Sequence, residues 1–226
     1  MHDPGSSANP LTPGPGTPGL GVPLSVWAAS PATEAARAVA EFSRPGDLVV
    51  VLDAGTGAVL ASAAAAGAGR RVLGLVPGVA ACHIAGLRLD LALSPAARPL
   101  TQVRPGGPGV LLDPASPHAG QAALAIAAVP RDGPGEVYAA SERALRPGGV
   151  LVVLTAPAPA PGADSTAAIA AGRAAGLVYA QHVIALRVPL ADGQLIAPPG
   201  TAPPPGAVCA RVHADVLVLT KPGGTA

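Results

Sequence analysis

A chain of 226 residues fits one domain with a tail and can bury a sizeable core. Half of its residues are hydrophobic but only 2% are aromatic, so that core is expected to consist of alanine, valine and leucine. Fourteen basic residues against thirteen acidic ones leave a net charge of +1, which excludes a strongly basic nucleic-acid binder and gives no field toward anionic lipid.

Residues 1–23 form a Pro/Gly/Ser/Thr-rich, non-periodic tail, expected to be disordered because such a composition cannot offset the entropy of ordering. No charged region precedes an apolar stretch there, so no secretory leader is read. The remainder, 24–226, is expected to be one domain. In "SVWAASPATEAARAVAEFSRPGD", Ser30 or Thr33 caps a helix with Pro31 in its first turn, and Ala35, Val39 and Phe42 share a face. The strand "LVVVLD" follows, then a glycine turn, then the helix "AVLASAAAAG" closed by Gly67 and Gly69. "RRVLGLV" reads as a second strand, "VAACHIAGLRLDLAL" as a helix and "PLTQVR" as a short edge strand. "GVLLD" reads as a short buried strand ending at Asp113, and "GQAALAIAAV" as a helix. The helix "GEVYAASERAL" stops at Arg146-Pro147-Gly148-Gly149 and leads into the buried strand "GVLVVLT". The helix "DSTAAIAAGRAAG", capped by Asp164 or Ser165, precedes two closing strands, "LVYAQHVIALRVPL" and "RVHADVLVLTKP", joined by a Pro-rich connection over 191–206.

Short apolar strands alternating with helices indicate parallel βαβ units with helices on both faces of a sheet. The last two strands have no helix between them and should pair antiparallel at one edge. The expected fold is therefore α/β: a doubly wound, mostly parallel, Rossmann-like sheet with an antiparallel closing strand pair. Uncharged stretches are diluted by Ala and Gly or broken by Pro, so no membrane span is expected and the chain reads as cytoplasmic. Cys82 and Cys209 lie far apart and outside any CxxC, which argues against a disulfide framework and a structural zinc.

The turn Asp53-Ala54-Gly55-Thr56-Gly57 ends the first apolar strand, at the end of the sheet where doubly wound folds bind ligands. Gly55 and Gly57 let the backbone turn sharply and approach a ligand where a Cβ would clash. Asp53 is placed to accept hydrogen bonds from turn amides or from a ligand amine. A dinucleotide fingerprint needs Gly-x-Gly-x-x-Gly, but Leu60 occupies the last position, and no Gly-Lys-Ser/Thr follows to make a Walker loop. The alternative is a glycine turn that serves only strand-to-helix packing.

From about Val26 to Pro222 the chain resembles class I S-adenosylmethionine-dependent methyltransferases, most of all the DNA/RNA amino-methyltransferase branch. "RPGDLVVVLDAGTGAVLASAAAAGAGRRVLGLV" parallels the family's strand, Asp-x-Gly-x-Gly turn, alanine-rich helix and second strand. "ALRPGGVLVVLT" matches a Leu-x-Pro-Gly-Gly turn into the fifth strand, and "AAGLVYAQHVIAL" with "HADVLVLTKP" resembles the closing hairpin. The resemblance implies an S-adenosylmethionine pocket around Asp53, Ala54, Gly55, Thr56 and Gly57. Val76 stands where family members carry the acidic residue that binds the ribose hydroxyls. Amino-methyltransferases hold the target amine with Asp/Asn/Ser-Pro-Pro-Tyr/Phe after the fourth strand. The matching loop here is "LLDPASPHAG": Asp113-Pro114 fits in one register and Ser116-Pro117-His118 in another, neither with a second proline before an aromatic. Asp113 would then hold the amine, and His118 would stack or act as a base. His182 and His213 are placed to pair across the hairpin, with no metal site expected.

The implied activity is methyl transfer from S-adenosylmethionine to an exocyclic amine of a nucleic-acid base, with nucleic acid as a partner that finds no basic bias, and neither membrane nor metal as a partner. The alternative, motivated by Val76 and "DPASPH", is a catalytically decayed methyltransferase-fold domain serving as a binding or scaffold module. A nicotinamide-dependent enzyme ranks below both because of Leu60 and Val76.

Overall fold

A computed structural model of the chain describes residues 23–28, 33–53, 57–128, 134–155, 165–188, 190–191, 194–196 and 213–223. In chain order these form β1 (Leu24–Trp27), α1 (Glu34–Phe42), β2 (Leu48–Leu52), α2 (Ala58–Ala66), β3 (Arg71–Val76) and α3 (Val79–Ala92). A 3₁₀ turn, Arg98–Leu100, leads to β4 (Thr101–Pro105), followed by α4 (Gly109–Leu112), β5 (Ala122–Ala128), α5 (Pro134–Ala144), β6 (Leu145–Leu154) and α6 (Ser165–Ala174). The chain ends in β7 (Val178–Leu186), a two-residue ribbon of β8 (Leu190–Ala191) and β9 (Gln194–Leu195), and β10 (His213–Thr220). Residues 1–22 and most of 191–206 lie outside the described residues, and with them the readings made there.

Eight strands make one sheet in the order β1-β7-β10-β6-β5-β2-β3-β4. Five of them, β6, β5, β2, β3 and β4, are mutually parallel neighbours. β10 runs antiparallel between β6 and β7, and β1 lies parallel to β7 at the far edge. The sheet is doubly wound. Alternate residues of β2 serve the two faces: Val49 and Val51 pack under α1, α2 and α3, whereas Leu48, Val50 and Leu52 pack with α4, α5 and α6. With both faces covered, all five β2 residues are buried, which is why the strand reads as an unbroken apolar run.

Thr33 caps α1, its side chain accepting from the Ala36 amide. The edge-strand reading over "PLTQVR" and the strand "RRVLGLV" both match, as β4 and β3. Three expectations are corrected. "GVLLD" is not a strand but the single turn of α4, entered through Gly106 and Gly107 at positive φ and buried only at Leu111. "GQAALAIAAV" is not a helix but β5, a central strand whose alanines lie between helices on both faces. Ala favours helices, yet a short apolar run covered on both sides is a buried strand whatever its propensity. The closing hairpin is also not at an edge, because β10 is inserted between β6 and β7 and β1 covers β7. Trp27 anchors that added strand, buried in the core with the Arg37 guanidinium 5.3 Å from the ring centroid.

The Leu-x-Pro-Gly-Gly segment has a structural task. The Gly148 amide donates to the Lys221 carbonyl and the Lys221 amide to the Gly149 carbonyl, while Lys221 Nζ donates to the Glu142 carbonyl and pairs with its carboxylate at 2.9 Å. A cation thus satisfies the carbonyl end of α5. A Cβ on Gly149 would come within 3.0 Å of the Ala122 carbonyl oxygen. Only glycine passes there.

Candidate functional site

Going outward from the middle of the sheet, β2 is followed by β3 and β4 on one side, and β5 by β6 on the other. The connections reverse direction between β2 and β5, and the crevice at their carboxyl ends is where such sheets hold ligands. Asp53 stands at its rim. The Asp53 amide continues the ladder by donating to the Leu75 carbonyl at 3.0 Å. Its buried carboxylate accepts the Gly57 amide at 3.2 Å on one oxygen and the Leu60 amide at 3.1 Å on the other. Gly57 opens α2 in the left-handed region, φ +69°, and supplies no side-chain cap. Asp53 therefore does what an N-cap side chain would do, gathering the first amides of α2 from the strand before it.

Gly57 is required by packing as well as by φ, since a Cβ there would lie 2.7 Å from the Ala85 Cα of α3. Leu60, which breaks the dinucleotide fingerprint, fills the space above Gly74 of β3, where any Cβ would overlap the Leu60 side chain. Sequence places a leucine on the helix and a glycine on the strand, and the pair interlocks. Ala54, Gly55 and Thr56 lie outside the described residues. Val76 is fully buried among core side chains, and its carbonyl accepts the Gly106 and Gly107 amides at 2.9 and 3.0 Å. It offers a ribose no carboxylate. Among the described residues, Asp53 and Gly57 are the ones that could border a nucleoside cofactor, and Val76 supplies no carboxylate for its diol.

The acceptor residues read from sequence sit elsewhere. Asp113 follows α4, exposed, its carboxylate accepting the Ala115 amide at 2.8 Å within the crossover that carries the chain back to the start of β5. His118 lies further along that crossover, beside Leu48 and Arg71, the first residues of β2 and β3. Asp53 and His118 thus occupy opposite ends of the sheet, about 17 Å apart by the length of β2. The structure does not bring them together. The correction to β5 explains this: the segment that leaves its carboxyl end is 129–133, Val-Pro-Arg-Asp-Gly, outside the described residues.

Sequence reasoning also missed Asp215. His182 and His213 do not pair with each other; Asp215 lies between them, one carboxylate oxygen 3.2 Å from His182 Nε2 and 3.8 Å from His213 Nε2. The Asp215 carbonyl accepts both the amide and the hydroxyl of Thr155, so the group sits at the carboxyl ends of β6 and β7. Burial, and secondarily the Asp215 charge, push the nearby Tyr179 phenol above its usual range. The His-x-Asp spacing on one strand, which puts both side chains on one face, was the available signal. Among the described residues no three His, Cys, Asp or Glu are arranged to hold a metal, and no helix is long and apolar enough to cross a membrane.

No family model matches the chain, and neither does any curated protein sequence. Solved structures do. A geranyl diphosphate methyltransferase in complex with geranyl diphosphate and sinefungin aligns at 17% identity over 83% of this chain and 76% of its own, with a TM-score of 0.59. A putative methyltransferase from Thermoplasma acidophilum aligns at 15% identity over 80% and 71%, TM-score 0.57. One from Bacillus halodurans aligns at 10% identity over 84% and 99%, TM-score 0.56. The chain has the fold of the S-adenosylmethionine-dependent methyltransferases. Asp53 and Gly57 stand at the carboxyl end of β2, and Asp215 with its two histidines stands on the β6 side of the same sheet edge.

Proposed function

We propose that the protein transfers a methyl group from S-adenosylmethionine to a nucleophilic acceptor. The observation that carries this reading is the Asp53 carboxylate, which holds the Gly57 and Leu60 amides at the switch point of a sheet with the methyltransferase strand arrangement. When bound, the cofactor supplies an electrophilic methyl carbon on a sulfonium, and the transfer leaves a neutral thioether. Asp53 fixes the amides of α2, and Gly57 keeps the turn tight against α3. The chain's contribution to rate is alignment of acceptor, methyl carbon and sulfur, which needs little covalent help.

Val76 sets the affinity. Losing a carboxylate that would hold the ribose diol costs about 1.5–3 kcal/mol, one to two orders of magnitude in binding. Calorimetric titration with S-adenosylmethionine and S-adenosylhomocysteine should show weak but saturable heat, reduced by Gly55→Val. No heat at millimolar concentration refutes the proposal and favours a decayed domain acting as a binding or scaffold module. The finer reading, transfer to an exocyclic base amine, drew on Asp113-Pro114 as the acceptor motif; with β5 placed at 122–128, the segment at that position is Val129-Pro130-Arg131-Asp132. Radiolabelled methyl transfer to RNA, DNA and small amines or hydroxyls tests it directly: label in nucleic acid supports the base amine, and label only in small molecules overturns it.

A further inference from the structure

The opposite end of the sheet carries a second site. A cavity of about 140 Å³ opens there, lined by Arg71, Gln102 and His118 over an apolar floor of Leu48, Leu73 and Leu100. That volume is four or five times the share of one water molecule and well below the several hundred Å³ of a drug-sized pocket. It suits a small ion better than a nucleoside.

Arg71 and Gln102 stand exposed at the rim of this cavity, and His118 brings a buried, unpartnered nitrogen to it. His118 Nε2 is buried and has no hydrogen-bond partner, nor does Ser116 Oγ two residues earlier in the same loop, nor Arg143 Nε at the end of α5. The loop is tied to that helix end, for the Gly120 amide donates to the Arg143 carbonyl at 2.8 Å. Among the described residues neither Arg71 nor Arg104 has a carboxylate partner. The nearby acids are engaged: Asp47 with Arg146 at 3.1 Å, and Asp113 with the Ala115 amide. Arg98 and Arg70, on the adjoining segments, are held by Asp90 and by Ser43. Orphaned buried polar atoms are rare because each costs free energy when water is excluded. Arg71, without a carboxylate partner, beside an imidazole and a carboxamide, and with Arg104 two residues beyond Gln102 on β4, makes a donor set for an oxyanion, which accepts bidentate hydrogen bonds from arginine.

We propose that this cavity binds a small tetrahedral oxyanion, phosphate or the phosphate group of a small metabolite, between Arg71, Gln102 and His118. The anion pairs with the Arg71 guanidinium and accepts a hydrogen bond from the protonated His118 Nε2. Burial first, then the Arg104 and Arg71 charges, hold the His118 imidazole below its usual range. A bound anion reverses the last two causes and drives the histidine toward the charged form. The site is remote from the Asp53 crevice, so it is a place for control or for a second ligand rather than for methyl transfer.

The test is a nuclear magnetic resonance titration of the His118 ring in the full chain, with inorganic phosphate as the probe and sodium chloride at matched ionic strength as the control. Phosphate should saturate and raise the His118 pKa by about one unit, where chloride does not. Arg71→Met should weaken phosphate binding by about tenfold or more, whereas Arg88→Met, an exposed arginine on α3, should leave it unchanged. Acetate distinguishes a tetrahedral site from a general anion site, and equal affinity for it overturns the phosphate assignment. An unmoved His118 resonance at about 10 mM phosphate, or equal weakening by both arginine variants, overturns the proposal altogether. Because cofactor heats are read separately, either reading can fail while the other stands.

Discussion

Replacing Asp53 by alanine tests whether the carboxylate organises α2. The side chain is 5% exposed and receives two backbone amides, at 3.2 Å from Gly57 and 3.1 Å from Leu60. A hydrogen bond to a charged group contributes about 1.5–3 kcal/mol. The two bonds are not additive, and water entering the vacated space recovers part, so the expected loss is about 3 kcal/mol. For a domain of this size that lowers the melting temperature by roughly 6–12 °C. Asp53→Asn keeps one acceptor oxygen and should lose about half as much. Urea unfolding followed by circular dichroism and by the fluorescence of the sole tryptophan, Trp27, measures both. A loss below about 1 kcal/mol for the alanine variant, at unchanged denaturant slope, would show that α2 satisfies its first amides without Asp53 and refute the capping argument.

Gly57→Ala should destabilise by about 2–4 kcal/mol in the same assay, combining left-handed strain with the 2.7 Å approach to Ala85. Tyr138→Phe should stabilise by about 1 kcal/mol, because the buried hydroxyl has no partner. Burial also pushes the Tyr138 phenol up to about 12 from 10, so the folded state resists ionisation and stability falls as pH rises from about 10 to 12; Tyr138→Phe should flatten that decline in alkaline melting curves. For His118 the sign is the reverse. A folded-state pKa below the unfolded value gives stability that is present above about 6.5 and is lost as pH falls, and His118→Gln should reduce this acid slope.

Most of the fold was legible because the parallel strands announce themselves. "LVVVL", "RVLGLV" and "VLVVLT" are β-branched apolar runs, and each neighbouring helix is bounded by glycine or by a capping hydroxyl. The two mistaken elements had one cause. Periodicity cannot separate a short buried strand from a buried helical turn, and alanine propensity pulled "AALAIAA" toward helix while three large aliphatic residues pulled "GVLLD" toward strand. The exchanged labels broke the local alternation of strands and helices but kept five parallel strands, so the fold class survived, while Asp113 was moved onto a strand end it does not occupy. Asp53 was legible because a turn acid after an apolar strand has few other uses. The Asp215 cluster was not, since it depends on a register between strands that lie more than twenty residues apart in the chain.

The insertion of β10 also imposes an order of assembly. β6 and β7 are made before the strand that separates them, and neither can complete its pairing until His213–Thr220 arrives. At ordinary rates of synthesis Thr220 emerges roughly 2–7 s after Leu186. Through that interval β6 presents an open apolar edge to the cell, and β7 can pair only with the short β1. The nascent chain must wait for β10, and β6 stays open to wrong partners until that strand arrives.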